Sequence, residues 1–156
     1  MAEQSEAPNN HFPAPSARRR PLRKSSGNRK ISGSLTGSGI LKGTTTSNVT
    51  FDGTAPQTVA LQIGQDSSNK IGTLSIGTGA VVTDTFDINA TSLVLVGSLT
   101  TTGALNVNTI TNGGSTTPVG SLTLNKVGAQ TITPVIASST NRLETLAVSA
   151  ATTGNF

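Results

Sequence analysis

From residue 49 onward, apolar and polar residues alternate in short bursts. In NVTFDG, Val49 and Phe51 fall on one face; in TVALQIG, so do Val59, Leu61 and Ile63, with Ala60 and Gln62 opposite. Alternation of period two between turn signals predicts half-buried β-strands. Between residues 71 and 127 one unit recurs: a Gly or Ser, then Leu-x-Leu/Ile/Val, then a return to Thr, Asn and Gly. Its instances are Leu74/Ile76, Leu93/Leu95, Leu105/Val107 and Leu122/Leu124, with a weaker copy at Leu146/Val148. Turns are expected at Asp52-Gly53, Asp66 to Asn69, Gly77 to Gly79, Asn112-Gly113-Gly114 and Gly154-Asn155. Pro56, Pro118 and Pro134 punctuate the pattern as well, since proline cannot donate to a central ladder.

Helix has little support, because no stripe of i, i+3, i+4, i+7 spacing is sustained. The best candidate is residues 141–150, where Leu143, Leu146 and Val148 fit a strand or a single helical turn equally well. The 26 Thr of residues 31–156 point to pleated structure, because their branched Cβ packs well there. The chain reads as all-β.

Landmarks at residues 61, 74, 93, 105, 122 and 146 repeat without a fixed period. Fixed-period families such as leucine-rich or hexapeptide repeats are therefore not supported. We expect an irregular, β-helix-like solenoid of short strands; a β-sandwich or jelly roll is the alternative. Small residues, with Thr and Asn, are expected at the corners where coils stack. The scarcity of aromatics (four Phe, no Trp, no Tyr) favours the solenoid, since a sandwich core uses aromatic bulk. The run Leu93-Val94-Leu95-Val96 predicts a strand covered on both faces, its outer side meeting another subunit.

Composition divides the chain. Residues 1–30 hold two of the 37 Leu, Ile, Val and Phe, and residues 31–156 hold 35. Too little apolar surface is available in residues 1–30 to offset the cost of ordering them, so a flexible arm is expected there. Residues 31–48 form a Gly-rich junction, and residues 49–156 the β-rich body. Large apolar residues are thinly supplied even in the body, which predicts association into a homo-oligomer.

Charge divides in the same way. Residues 1–30 carry Arg18, Arg19, Arg20, Arg23, Lys24, Arg29 and Lys30 against two Glu, whereas residues 31–156 carry four Lys or Arg against five Asp or Glu. The basic character belongs to the arm. It suits an anchor to an acidic protein surface or to nucleic acid, and equally a solvated tail that aids solubility. Without an aromatic residue inside the cluster, any such contact with nucleic acid is expected to be non-specific and salt-dependent. The glycines of the junction (Gly37, Gly39, Gly43) lack the spacing and the following helix of a phosphate-binding loop.

Chemistry is sparse. There is no Cys, and His11, the single His, lies in the arm. Ser-His-Asp and Cys-His arrangements and Cys/His metal sites are excluded on composition. Asp84 and Asp87 are the one close carboxylate pair of the body. Three residues apart on a strand, they would point to opposite faces, and solvated turn residues are the expected reading. No catalytic, cofactor-binding or metal-ligating residue is assigned, and a non-enzymatic protein is expected. No apolar stretch is long enough for a membrane helix, so no membrane insertion is expected. The opening residues also lack the apolar core of a secretory signal.

At GTLSIGTGAVV and GSLTTTGALNVNTITNGG the chain resembles two groups of proteins. One is the passenger β-helix of bacterial autotransporter surface proteins, especially the rickettsial outer-membrane type. The other is the Gly/Thr-rich β-repeat proteins of bacteriophage fibres and virions. The likeness covers roughly residues 45–154. The first implies an adhesive rod at the bacterial cell surface, accompanied by a signal peptide and a membrane barrel that these 156 residues do not contain. The second implies a virion subunit (capsid, decoration or tail fibre), assembled in the host cytoplasm with other structural subunits, and it suits a basic arm on a β body. A structural subunit of a virion is the leading expectation. A surface adhesin and a nucleic-acid-binding module acting through the arm are the alternatives.

Overall fold

A computed structural model describes residues 27–37, 39–41, 44–133, 135–136, 142–149 and 152–153. The chain winds through them as a β-solenoid of six coils. The first coil contains β1 (Asn28–Ile31) and β2 (Ile40–Leu41), and the second β3 (Asn48–Phe51), β4 (Gln57–Val59) and β5 (Gln62–Ile63). The third holds β6 (Ile71–Ile76), β7 (Val81–Asp84) and the start of β8 (Ile88–Leu95). The rest of β8, β9 (Ser98–Thr101) and the start of β10 (Leu105–Thr111) make the fourth. The end of β10, β11 (Ser121–Leu124) and β12 (Gly128–Ala129) make the fifth, and β13 (Val135–Ile136), β14 (Thr145–Val148) and β15 (Thr152–Thr153) the sixth.

Three faces result. The first stacks β1, β3, β6, β8, β10 and β13, and the second stacks β4, β7, β9, β11 and β14. The third is short, with β2 on β5, β5 on the first residue of β8, and β12 on β15. Each of these pairings is parallel. A sandwich or jelly roll is built from antiparallel pairs, so that alternative is set aside.

The core is a set of columns running along the axis. On the first face, Val49, Leu74, Leu93, Ile110 and Ile136 stand in register. Beside them run Phe51, Ile76 and Leu95. On the second face Val82, Leu99 and Leu122 are buried, and Leu146 extends their column. Leu146 and Val148, in the sixth coil, are 42% and 38% exposed because they occupy inward positions at the end of the stack.

Irregular coil length explains why no period showed in the chain. Successive members of the Val49 column lie 25, 19, 17 and 26 residues apart. The Leu-x-Leu landmarks also mix faces: Leu74 and Leu93 belong to the first, Leu122 and Leu146 to the second. TVALQIG differs from its expected form. It is two strands, β4 and β5, with the chain turning a corner at Ala60 and Leu61. Residues 145–148 of the helical candidate form β14.

Corners rely on close backbone approach. Gly120 has φ of 81°, and a Cβ there would run into the carbonyl of Leu95. Gly64 (φ 70°) meets Asn89 in the same way. Thr, expected at corners, is divided between turns and loops, as at Thr44 to Thr46, Thr54, Thr78, Thr102, Thr116 and Thr117, and outward positions within strands, as at Thr58, Thr83, Thr100 and Thr123. Among the described residues, no helix is long and apolar enough to cross a membrane.

Candidate functional site

Three sets of residues carry the chemistry of this surface: the end of the basic cluster, one buried carboxyl, and the hydroxyl-bearing second face. Of the basic cluster, Arg18, Arg19, Arg20, Arg23 and Lys24 lie outside the described residues. Arg29 and Lys30 lie in β1, as part of the first coil rather than of a free arm. Arg29 stands in register with the buried Val49 and is half-buried. Lys30 forms an ion pair with Asp52 at 2.8 Å. The hydrogen bond to Asp52, with its charge, holds Lys30 above the ordinary lysine value. These two cations therefore belong to the solenoid's first edge, where an inward-set charge opposes pairing with foreign strands.

Asp84 and Asp87 separate more sharply than expected. Asp87 is exposed and accepts a hydrogen bond from the Ala104 N–H at 2.7 Å. Asp84 is fully buried, so the solvated-turn reading is corrected for this residue. It ends β7 at an inward position, in register with Val59 of β4 and Thr101 of β9. Its Oδ1 accepts from the Phe86 N–H at 2.8 Å, which folds the chain around the corner. Its Oδ2 has no hydrogen-bond partner. Burial pushes the carboxyl up from its ordinary 3.8 to about 7, the Phe86 N–H opposing and the charge of Asp87 adding to the rise. A proton on Asp84 at mildly acidic pH follows.

Other buried polar groups close gaps between coils of unequal length. Gln57 donates through Nε2 to the carbonyls of Ile31 and Gly33 at 3.2 and 3.0 Å. Asn112 is fully buried, and its Nδ2 reaches the carbonyls of Ser115, Thr117 and Arg142 at 2.9, 3.3 and 3.1 Å. It ties the long fifth-coil loop to the sixth coil. Nothing in a Thr- and Asn-rich sequence distinguishes Asn112 from solvent-facing asparagines.

The second face repeats hydroxyls in two outward columns. Thr58, Thr83, Thr100 and Thr123 stand in register, followed by Ala147. Beside them stand Val81, Ser98, Ser121 and Thr145. No charged residue occupies an outward position in β4, β7, β9, β11 or β14. A shallow groove of about 180 Å³ borders the second column, lined by Val96, Gly97, Gly120 and Glu144 among others. On the first face the comparable hydroxyls are partly consumed, with Thr109 donating to Ser92 at 3.0 Å.

Leu93 and Leu95 are fully buried on the inner side. Val94 and Val96 point outward and are half-buried, and the turn at Gly113 lies over them. The chain's own loop thus covers part of the surface expected to meet another subunit.

Among the described residues, no three His, Cys, Asp or Glu gather as metal ligands would. Comparison of the chain with family models, with curated proteins and with solved structures finds no match.

Proposed function

We propose that this chain is a non-catalytic structural subunit of a virion. Its solenoid packs against copies of itself or other structural subunits, and its basic N-terminal cluster anchors it to an acidic partner surface or to packaged nucleic acid. One observation carries the reading. A six-coil solenoid with an uncharged hydroxyl-bearing face is preceded in the chain by five cations, Arg18, Arg19, Arg20, Arg23 and Lys24, which lie before the described residues. Body and anchor are separate in sequence and in charge. That separation suits a subunit whose rigid part builds an assembly and whose basic part attaches it.

Electron microscopy of native particles, with the purified chain in parallel, tests the first half. The chain is expected in a symmetric shell, spike or tube. Its appearance as isolated rods on a bacterial surface would replace this reading with that of an adhesin. Retention on a polyanion column tests the second half. Substituting Gln at residues 18, 19, 20, 23 and 24 is expected to abolish salt-sensitive retention while leaving the solenoid's circular dichroism intact. These residues precede β1, so the substitutions leave its pairing with β3 untouched. Retention that ignores both salt and the substitutions would refute the anchor.

A further inference from the structure

We infer that the second face is an ice-binding surface, a site that goes beyond the structural role proposed above. Its outward positions form a two-dimensional grid. Stacked strands set a spacing of about 4.7–4.9 Å along each column, and alternate residues of a strand set about 6.6 Å between columns. The oxygen lattice of ice repeats on the same scale. A surface that presents groups at that spacing holds water in an ice-like arrangement.

The grid's chemistry fits ordered water better than a protein or a sugar. Threonine presents both a hydroxyl and a methyl, and its branched Cβ limits rotation about χ1, so both groups are held in place. Val81, at the head of the second column, keeps threonine's shape without its hydroxyl. No outward position on these five strands is charged. Sugars are commonly held against aromatic rings, and the chain has no Trp or Tyr.

Sheet stability alone is the simpler account of aligned threonines, because cross-strand Thr–Thr and Thr–Ser hydrogen bonds strengthen a sheet. The second face does not use them. The hydroxyls of Thr83, Ser98, Thr100, Ser121 and Thr123 make no hydrogen bond to a protein group among the described residues, unlike Thr109 and Ser92 on the first face. They remain available to water. Each contact with water is weak, but a rigid array engages many sites of a solid at once, and the combined attachment is far stronger than one contact.

The experiment uses the full chain. Partition into a slowly growing ice hemisphere is measured together with the shaping of single ice crystals. The wild type is expected to concentrate in the ice and to facet the crystals. Thr100→Lys with Thr123→Lys is expected to cut incorporation at least tenfold. Thr50→Lys with Ser75→Lys, at outward positions of the first face, is expected to leave it unchanged. Circular dichroism checks that each variant is folded, and Thr100→Val, which keeps the shape, should retain most of the activity. Exclusion of the folded wild type from ice, or equal loss from substitutions on either face, overturns the assignment. So does binding to crystalline cellulose or chitin without any effect on ice. None of these outcomes bears on assembly into particles, which electron microscopy reads independently.

Discussion

Titrating Asp84 should make this solenoid less stable as pH rises from acid toward neutral. The carboxyl is fully buried, one of its oxygens has no partner, and its pKa rises from 3.8 to about 7. Between those values the folded chain holds a proton that the unfolded chain has released. Stability contributed by that proton is present at low pH and is lost as pH rises through the folded value. A rise from 3.8 to about 7 corresponds to at most ~4 kcal/mol, fully lost only above pH 7. Local opening at the Thr85–Asp87 corner would reduce the loss. Groups facing Asp84 do not offset it: β4 and β9 bring no charged residue, and the nearest charge is the like-signed Asp87. The other displaced groups act outside the window. Asn69 and Ser68 hold Asp66 below its ordinary value, so its contribution is lost only at more acidic pH. Lys30 is displaced upward, so its contribution is lost only in alkali. Urea denaturation at pH 5, 6, 7 and 8 reads the effect. Wild-type stability should fall across that series, and Asp84→Asn should flatten the curve and exceed the wild type at pH 8. A wild type as stable at pH 8 as at pH 5, or an Asn variant with the wild-type slope, would refute the reasoning.

Three further outcomes test the packing. Leu93→Ala, in the middle of a column with no solvent exposure, should cost about 2–5 kcal/mol in urea denaturation, because neighbouring coils cannot collapse into the gap. Gly120→Ala should destabilise more than Gly79→Ala. Both glycines have positive φ, but a Cβ at Gly120 strikes the Leu95 carbonyl and one at Gly79 meets open space. Equal thermal midpoints would show that the corner backbone yields freely. Asn112→Ala should cost about 1–3 kcal/mol by removing a fully buried side chain whose Nδ2 serves the partly buried carbonyls of Ser115, Thr117 and Arg142. Hydrogen exchange should rise first in residues 115–120 and 142–145, and an unchanged exchange pattern would remove Asn112 as the tie between coils.

Much of this architecture was legible in the chain. Period-two bursts at Val49/Phe51, Leu74/Ile76, Leu93/Leu95 and Leu122/Leu124 marked strands, because alternation follows from the pleat itself. Turn residues such as Asp66 to Asn69 and Asn112 to Gly114 marked their ends, since their chemistry is local. The charge split between residues 1–30 and the rest needed only counting. Tertiary structure decided what depends on which coil lies above which. It turned TVALQIG around a corner, because Val59 and Ile63 had different partners, Asp84 and Ile88, to meet. It drew Arg29 and Lys30 into the first coil by pairing β1 with β3. It buried Asp84, because the last inward position of β7 lies between Val59 and Thr101 and has no access to water. It also aligned Thr58, Thr83, Thr100 and Thr123, which are spaced 25, 17 and 23 residues apart along the chain. Loops of unequal length absorb those differences, so neighbours across coils have no fixed separation in sequence. The alternation that makes each strand is local and can be read from the chain, whereas the columns that form the core and the hydroxyl face exist only once the coils are stacked.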